Sequence, residues 1–168
     1  MVSHDDLVRL WGEANVVRAD ASVHDTVTLP PDAIEVVTEI GLPRYVEPLF
    51  EIADLRMVVA PGRGGQFCQV GSDFGTELCI SAETGEVVSL STSGEYCDRF
   101  VNTNLALFVE FLVLVSGERA RFLDLGDEEI DQVIIVLDKR LRLLDERAFS
   151  NPDNWWAVIL EQMRDGLL

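Results

Sequence analysis

The sequence predicts an α+β fold, with a central antiparallel meander of about five to six strands and flanking N- and C-terminal helices. Three observations carry this. Apolar residues recur at helical spacing near both ends of the chain. Between Glu51 and Val101 the pattern changes to short apolar and β-branched runs about every ten residues, separated by glycine-rich turns. The length of 168 residues suits one compact domain, and no linker or repeat interrupts it, so 1–168 is expected to form a single domain.

Taken in order, the polar start His4-Asp5-Asp6 followed by Leu7, Leu10, Trp11 and Ala14 predicts a short first helix. Val16 to Leu29 is mixed and β-branched, a loop with room for a strand. Pro30-Pro31-Asp32 opens a second helix whose apolar positions Ile34, Val37 and Ile40 share a face. Gly41 stands where a left-handed C-cap belongs, and Pro43 prevents continuation. The strand runs are Leu55 to Ala60, Gln66 to Val70, Glu77 to Ser81, Glu86 to Ser91 and Tyr96 to Val101. Their separators are Pro61 to Gly65, Gly71 to Gly75, Glu83-Thr84-Gly85 and Ser93-Gly94. Asn102-Thr103-Asn104 can cap a helix from Leu105 to Val115 that is apolar on nearly every side, hence one placed in the core beneath the sheet. Asp127-Glu128-Glu129 begins a long helix with Ile130, Ile134, Leu137, Leu141 and Leu144 on its inner stripe. Its acids lead and Lys139, Arg140, Arg142 and Arg147 follow, matching the helix macrodipole. A final helix follows Asn151-Pro152-Asp153 and carries two adjacent tryptophans, Trp155 and Trp156. Neighbours on a helix point about 100° apart, so one ring is expected to anchor the core while the other reaches the surface or an edge.

The net charge is −17 and the isoelectric point about 4.3. Such a surface repels phosphate backbones and anionic lipid, which excludes nucleic acid and membrane as direct partners. It favours a basic protein partner and speeds encounter with one, although solubility alone also accounts for a net charge. Lys139 is the single lysine beside many arginines, the usage of a GC-rich and hence bacterial coding genome. The N-terminus has no basic and then apolar secretory pattern, and the longest apolar stretch, Leu105 to Val115, is too short to span a bilayer. Together with the odd cysteine count (Cys68, Cys79 and Cys97), this predicts reduced thiols and a cytoplasmic location, and the high net charge suits a monomer.

Catalysis has no constellation to stand on. The cysteines and the histidines His4 and His24 lack the spacing of a zinc site or a thiol catalyst, so no metal and no cofactor is expected. Gly62-Arg63-Gly64-Gly65 leads into a strand with no following Lys-Ser or Lys-Thr, which makes it a hairpin loop rather than a phosphate loop. Carboxylates are everywhere, and for that reason no pair stands out as acid and base.

The run Ala33 to Pro43, ending Gly41-Leu42-Pro43, resembles the opening of bacterial immunity proteins of the SUKH superfamily. Val70-Gly71-Ser72-Asp73 and Leu78 to Val88 are similar to the central hairpins of that group. Phe100-Val101-Asn102-Thr103-Asn104-Leu105 is similar to its lead into a buried helix, with Thr103-Asn104 in place of Ser-Ser. Asn154 to Glu161 is similar to its tail, and the fourth subgroup is the nearest in pattern. The resemblance implies a SUKH-like α+β fold and a non-enzymatic protein that neutralises a cognate polymorphic toxin, often a nuclease or deaminase. It supplies no catalytic residues. Glu47, Glu51, Asp54, Glu83, Glu86 and Trp156 are the candidate partner contacts. Two rivals stand beside this reading: a regulatory or scaffold protein for a house-keeping enzyme, and an enzyme built on scattered carboxylates.

Overall fold

The structure, a computed structural model, describes residues 2–60, 64–73, 75–91 and 97–168. It opens with α1 (His4–Trp11), where Ser3 caps the first turn and Asp6 returns the bond to the Ser3 N–H. Gly12, at φ +84°, ends the helix before Ala14, which falls in a 3-10 turn, Glu13–Asn15. The segment expected as a loop holds β1 (Val16–Val17) and a 3-10 turn, Ala21–Asp25. Helix α2 (Pro31–Glu35) widens into a π turn over Val36–Ile40. The widened turn changes which face is buried: Ala33, Val36 and Val37 are inside, while Ile34 and Ile40 are only partly covered. It also leaves the Val37 carbonyl free to accept from the Ala19 N–H (2.8 Å), which ties the β1 segment alongside.

Gly41 closes the π turn by donating to the Val36 carbonyl (2.7 Å), at φ +89° and ψ 176°. That is positive-φ extended backbone rather than the left-handed helical cap expected. An added Cβ would also meet the Val17 carbonyl at 2.9 Å, so glycine is required twice over. β2 (Leu42–Pro43) then pairs with β1.

The main sheet is six-stranded and antiparallel, in the order β3 (Tyr45–Val46), β4 (Phe50–Val58), β5 (Phe67–Ser72), β6 (Glu77–Ser81), β7 (Val87–Leu90) and β8 (Arg99–Asn102). This is the expected meander. β6 matches its predicted bounds, whereas β4 begins at Phe50 rather than Leu55, and β3 had no sequence counterpart. The ladder slips between Ile52 and Arg56, so inward residues change parity from Phe50 and Ile52 to Met57. Of the predicted turns and strand ends, Pro61 to Arg63, Phe74, Ser93-Gly94 and Tyr96 lie outside the described residues.

Three long helices follow: α3 (Leu105–Arg119), α4 (Asp127–Leu144) and α5 (Trp155–Arg164). α3 is buried at Leu105, Phe108, Val109, Phe111, Leu112 and Val115, the core helix that its apolar circumference predicts. α4 buries Ile134, Leu137 and Leu141, while Leu144 at its end lies exposed. Between helices and sheet lies an aromatic cluster in which Phe50 meets Phe108 edge-on at 5.5 Å and Phe111 meets Trp156 at 5.2 Å. The opposite sheet face carries a smaller apolar cluster that includes Phe67, Cys79, Val88 and Leu90.

Candidate partner-binding surface

The motif residues that look most chemical turn out to hold the fold. Asp145 is buried, and its carboxylate accepts from Asn102 Nδ2 (3.1 Å), the Thr103 N–H (2.8 Å) and Thr103 Oγ1 (2.9 Å). Asn102 Oδ1 in turn accepts from Trp156 Nε1 (2.7 Å). This network ties the end of β8 to the end of α4 and to α5, and every buried polar atom in it has a partner. Asp73 acts similarly at the β5–β6 turn, accepting from the Thr76 N–H and hydroxyl and from Trp155 Nε1.

Both tryptophans are therefore inside, Trp155 at 2% and Trp156 at 0% exposure, with ring planes at 86°. The expectation that one of them reaches the surface is corrected. Each indole N–H finds an acceptor, the buried Asn102 or the half-buried Asp73, and that pays for taking both rings out of water. Trp156 presents no surface to a partner.

The five candidate carboxylates fall into two separated groups. Glu47 is exposed in the β3–β4 turn, where its carbonyl accepts from the Arg119 guanidinium. Glu51 and Asp54 are exposed on β4. Glu83 is exposed in the β6–β7 turn, while Glu86 is partly covered and ion-paired with Arg147 at 2.7 Å. The register sets the separation: Glu51 aligns with Ser72 and through it with Glu77, while the β6–β7 turn follows Ser81, which aligns with Phe67 and Val58. Glu47 and Glu51 thus lie at one end of the sheet, and Glu83 and Glu86 at the other.

The thiols do not converge with the histidines. Cys68 joins the main core and Cys79 the cluster on the opposite sheet face. Burial pushes the Cys68 thiol up to about 11 and the Cys79 thiol up to about 12. Each histidine places Nδ1 against a main-chain carbonyl, His4 on Ile40 (2.8 Å) and His24 on Ala21 (2.5 Å). Among the described residues, no group of three or more His, Cys, Asp and Glu side chains could hold a metal ion. No helix among them is long and apolar enough to cross a membrane.

Two clefts remain. One, of about 460 Å³, lies between α5 and the β5–β6 turn and is bordered by Asp73, Thr76, Arg99, Trp155 and Gln162. The other, of about 390 Å³, runs between β4 and the segment Val17–Thr26, with Asp20 and Asp54 on its walls. Asp20 was invisible to sequence reasoning as a site residue; only the fold sets it across a groove from Asp54.

A family profile described as SUKH-4 immunity protein matches residues 2–162. The chain belongs to the SUKH-4 immunity protein family. No curated protein and no solved structure matches it significantly. The match spans α1 through most of α5 and so takes in every element described above. In this SUKH-4 chain the segments that carried the resemblance are largely internal: Gly71 beneath the Phe50 ring, Asn102 and Thr103 on Asp145, and Trp155 and Trp156 in the aromatic cluster.

Proposed function

We propose that this immunity protein acts in the cytoplasm, as a single-domain monomer, by binding and blocking a basic toxin domain that works on nucleic acid. The observation that carries the reading is the family match over residues 2–162. The net charge of −17 supplies the chemistry of the partner. Several arginines are already neutralised internally: Arg9 on Asp6, Arg56 on Glu77, Arg121 on Glu118, and Arg142 and Arg164 both on Asp138. The surplus is negative and free to act outward.

A nuclease or deaminase needs a positive cleft to hold a polyanion. An acidic protein competes for that cleft, is steered to it by the field, and needs no catalytic step or cofactor of its own. Glu47, Glu51 and Asp54, and at the far end Glu83, are the carboxylates placed to meet such a partner.

Affinity capture of the tagged protein from its native cells, read by mass spectrometry at low and high salt, tests this. The expected result is one basic toxin domain, abundant at low salt and depleted at high salt. Recovery of a house-keeping enzyme instead would replace the toxin reading with a regulatory one.

A further inference from the structure

The two edges of the sheet are not equivalent. β8, the last strand at one edge, packs against the 3-10 turn Glu146–Phe149 and against α5. On the other side, β3 aligns only with Phe50 and Glu51 of β4. The last main-chain bond that β4 makes on that side, among the described residues, runs from the Ile52 N–H to the Arg44 carbonyl (3.0 Å). Beyond Ile52 the strand bulges at Ala53 to Leu55 and aligns again with β5 over Arg56 to Val58, and among the described residues no strand pairs with it on the other side. An unpaired strand edge is a template for another extended chain, and strand addition is a standard way for one protein to hold a segment of another.

This stretch is also one wall of the groove that faces Val17–Thr26. The groove is lined by apolar groups, including Val23, Val37, Leu42 and Leu55, and by the carboxylates Asp20 and Asp54; no lysine or arginine lines it. Asp20 accepts from the Ser22 N–H (2.9 Å) and hydroxyl (2.7 Å), which hold its carboxyl below the usual range and keep it charged. Asp54 is exposed at the bulge. A strand laid here alternates its side chains, one set toward the apolar lining and the other toward carboxylates and solvent. The occupant that satisfies both is an extended segment alternating aliphatic residues with arginine or lysine.

We infer that the open edge of β4 and its groove form a strand-addition site for a basic, alternating segment of the partner protein. This rests on the proposed function for the partner's identity, not for the site itself.

The full chain is to be mixed with a synthetic peptide of about eight residues alternating arginine and valine. Amide hydrogen exchange is then followed residue by residue. The expected result is exchange slowed about tenfold at amides within Ala53–Val58. The same peptide N-methylated at alternate amides should give no such protection, nor should one with glutamate for arginine. Asp54→Lys, at an exposed position, should abolish protection by the arginine peptide while leaving the fold unchanged by circular dichroism. Protection elsewhere, equal protection by the N-methylated peptide, or none at saturating peptide would overturn the proposal. Because the peptide carries no toxin sequence, that failure removes the groove and leaves the immunity reading intact. The immunity reading fails separately, on the identity of the captured partner.

Discussion

Gly71 shows how one missing carbon can specify a packing arrangement. A Cβ there would lie 2.2 Å from the Phe50 ring and 2.6 Å from the Glu51 carbonyl, and one of these contacts is rigid backbone. Gly71→Ala is therefore expected to destabilise the fold by about 3 kcal/mol, the upper part of the overpacking range. Urea unfolding should show this as a lower midpoint at unchanged slope. The cysteines make a second residue-scale case. Only the thiolate attacks alkylating reagents, and burial raises Cys68 to about 11 and Cys79 to about 12, while Cys97 is exposed. Near neutral pH a maleimide should label Cys97 alone in the native protein and all three cysteines in denaturant. Fast native labelling of Cys68 or Cys79 would mean that the sheet opens far more readily than its packing implies.

At the scale of elements, short polar contacts decide where helices begin and what they dock against. Asn104 caps α3 by accepting from the Leu107 N–H (2.9 Å), as its place before the apolar run predicts. Asp145 is of another kind. It reads in sequence as one more acid after a charged helix, yet it is buried and joins β8 to the end of α4. Asp145→Ala would strand the Asn102 and Thr103 donors without an acceptor, at a cost of roughly 3 kcal/mol. Asn104→Ala should cost only about 1 kcal/mol. Thermal unfolding of the two variants should preserve that order; equal losses would mean that water replaces the Asp145 carboxylate. The β4 start was missed for a related reason. Phe50, Ile52 and then Met57 face inward, so the bulge breaks the alternation on which strand recognition depends.

For the whole molecule, charge acts at a range set by salt. Glu51 and the β6–β7 turn are separated by most of the length of β4, roughly 20 Å at the rise of a strand. Screening falls off over about 8 Å at physiological ionic strength. The two acidic groups therefore act as separate patches, and a partner seated at β4 feels chiefly its own. Reversing Glu51 and Asp54 to lysine together should slow association with the captured partner about tenfold at low salt and much less at high salt. Glu83→Lys at the far end should change it little. Equal effects at both ends, measured by stopped-flow, would show that the partner spans the sheet or responds to net charge alone.

The sequence by itself determined the α+β class, the meander, the buried α3 and the family, because periodicity, turn residues and caps are local properties of the chain. The segments that carried the resemblance are readable because they hold the interior, where a glycine, an amide or an indole has one workable partner. Tertiary structure alone decided that both tryptophans are inside, since the second acceptor, the half-buried Asp73, comes from a strand turn distant in sequence. It alone separated Glu51 from Glu83 and set Asp20 across a groove from Asp54. Strand register and sheet order create those distances, and no single segment of the chain contains them.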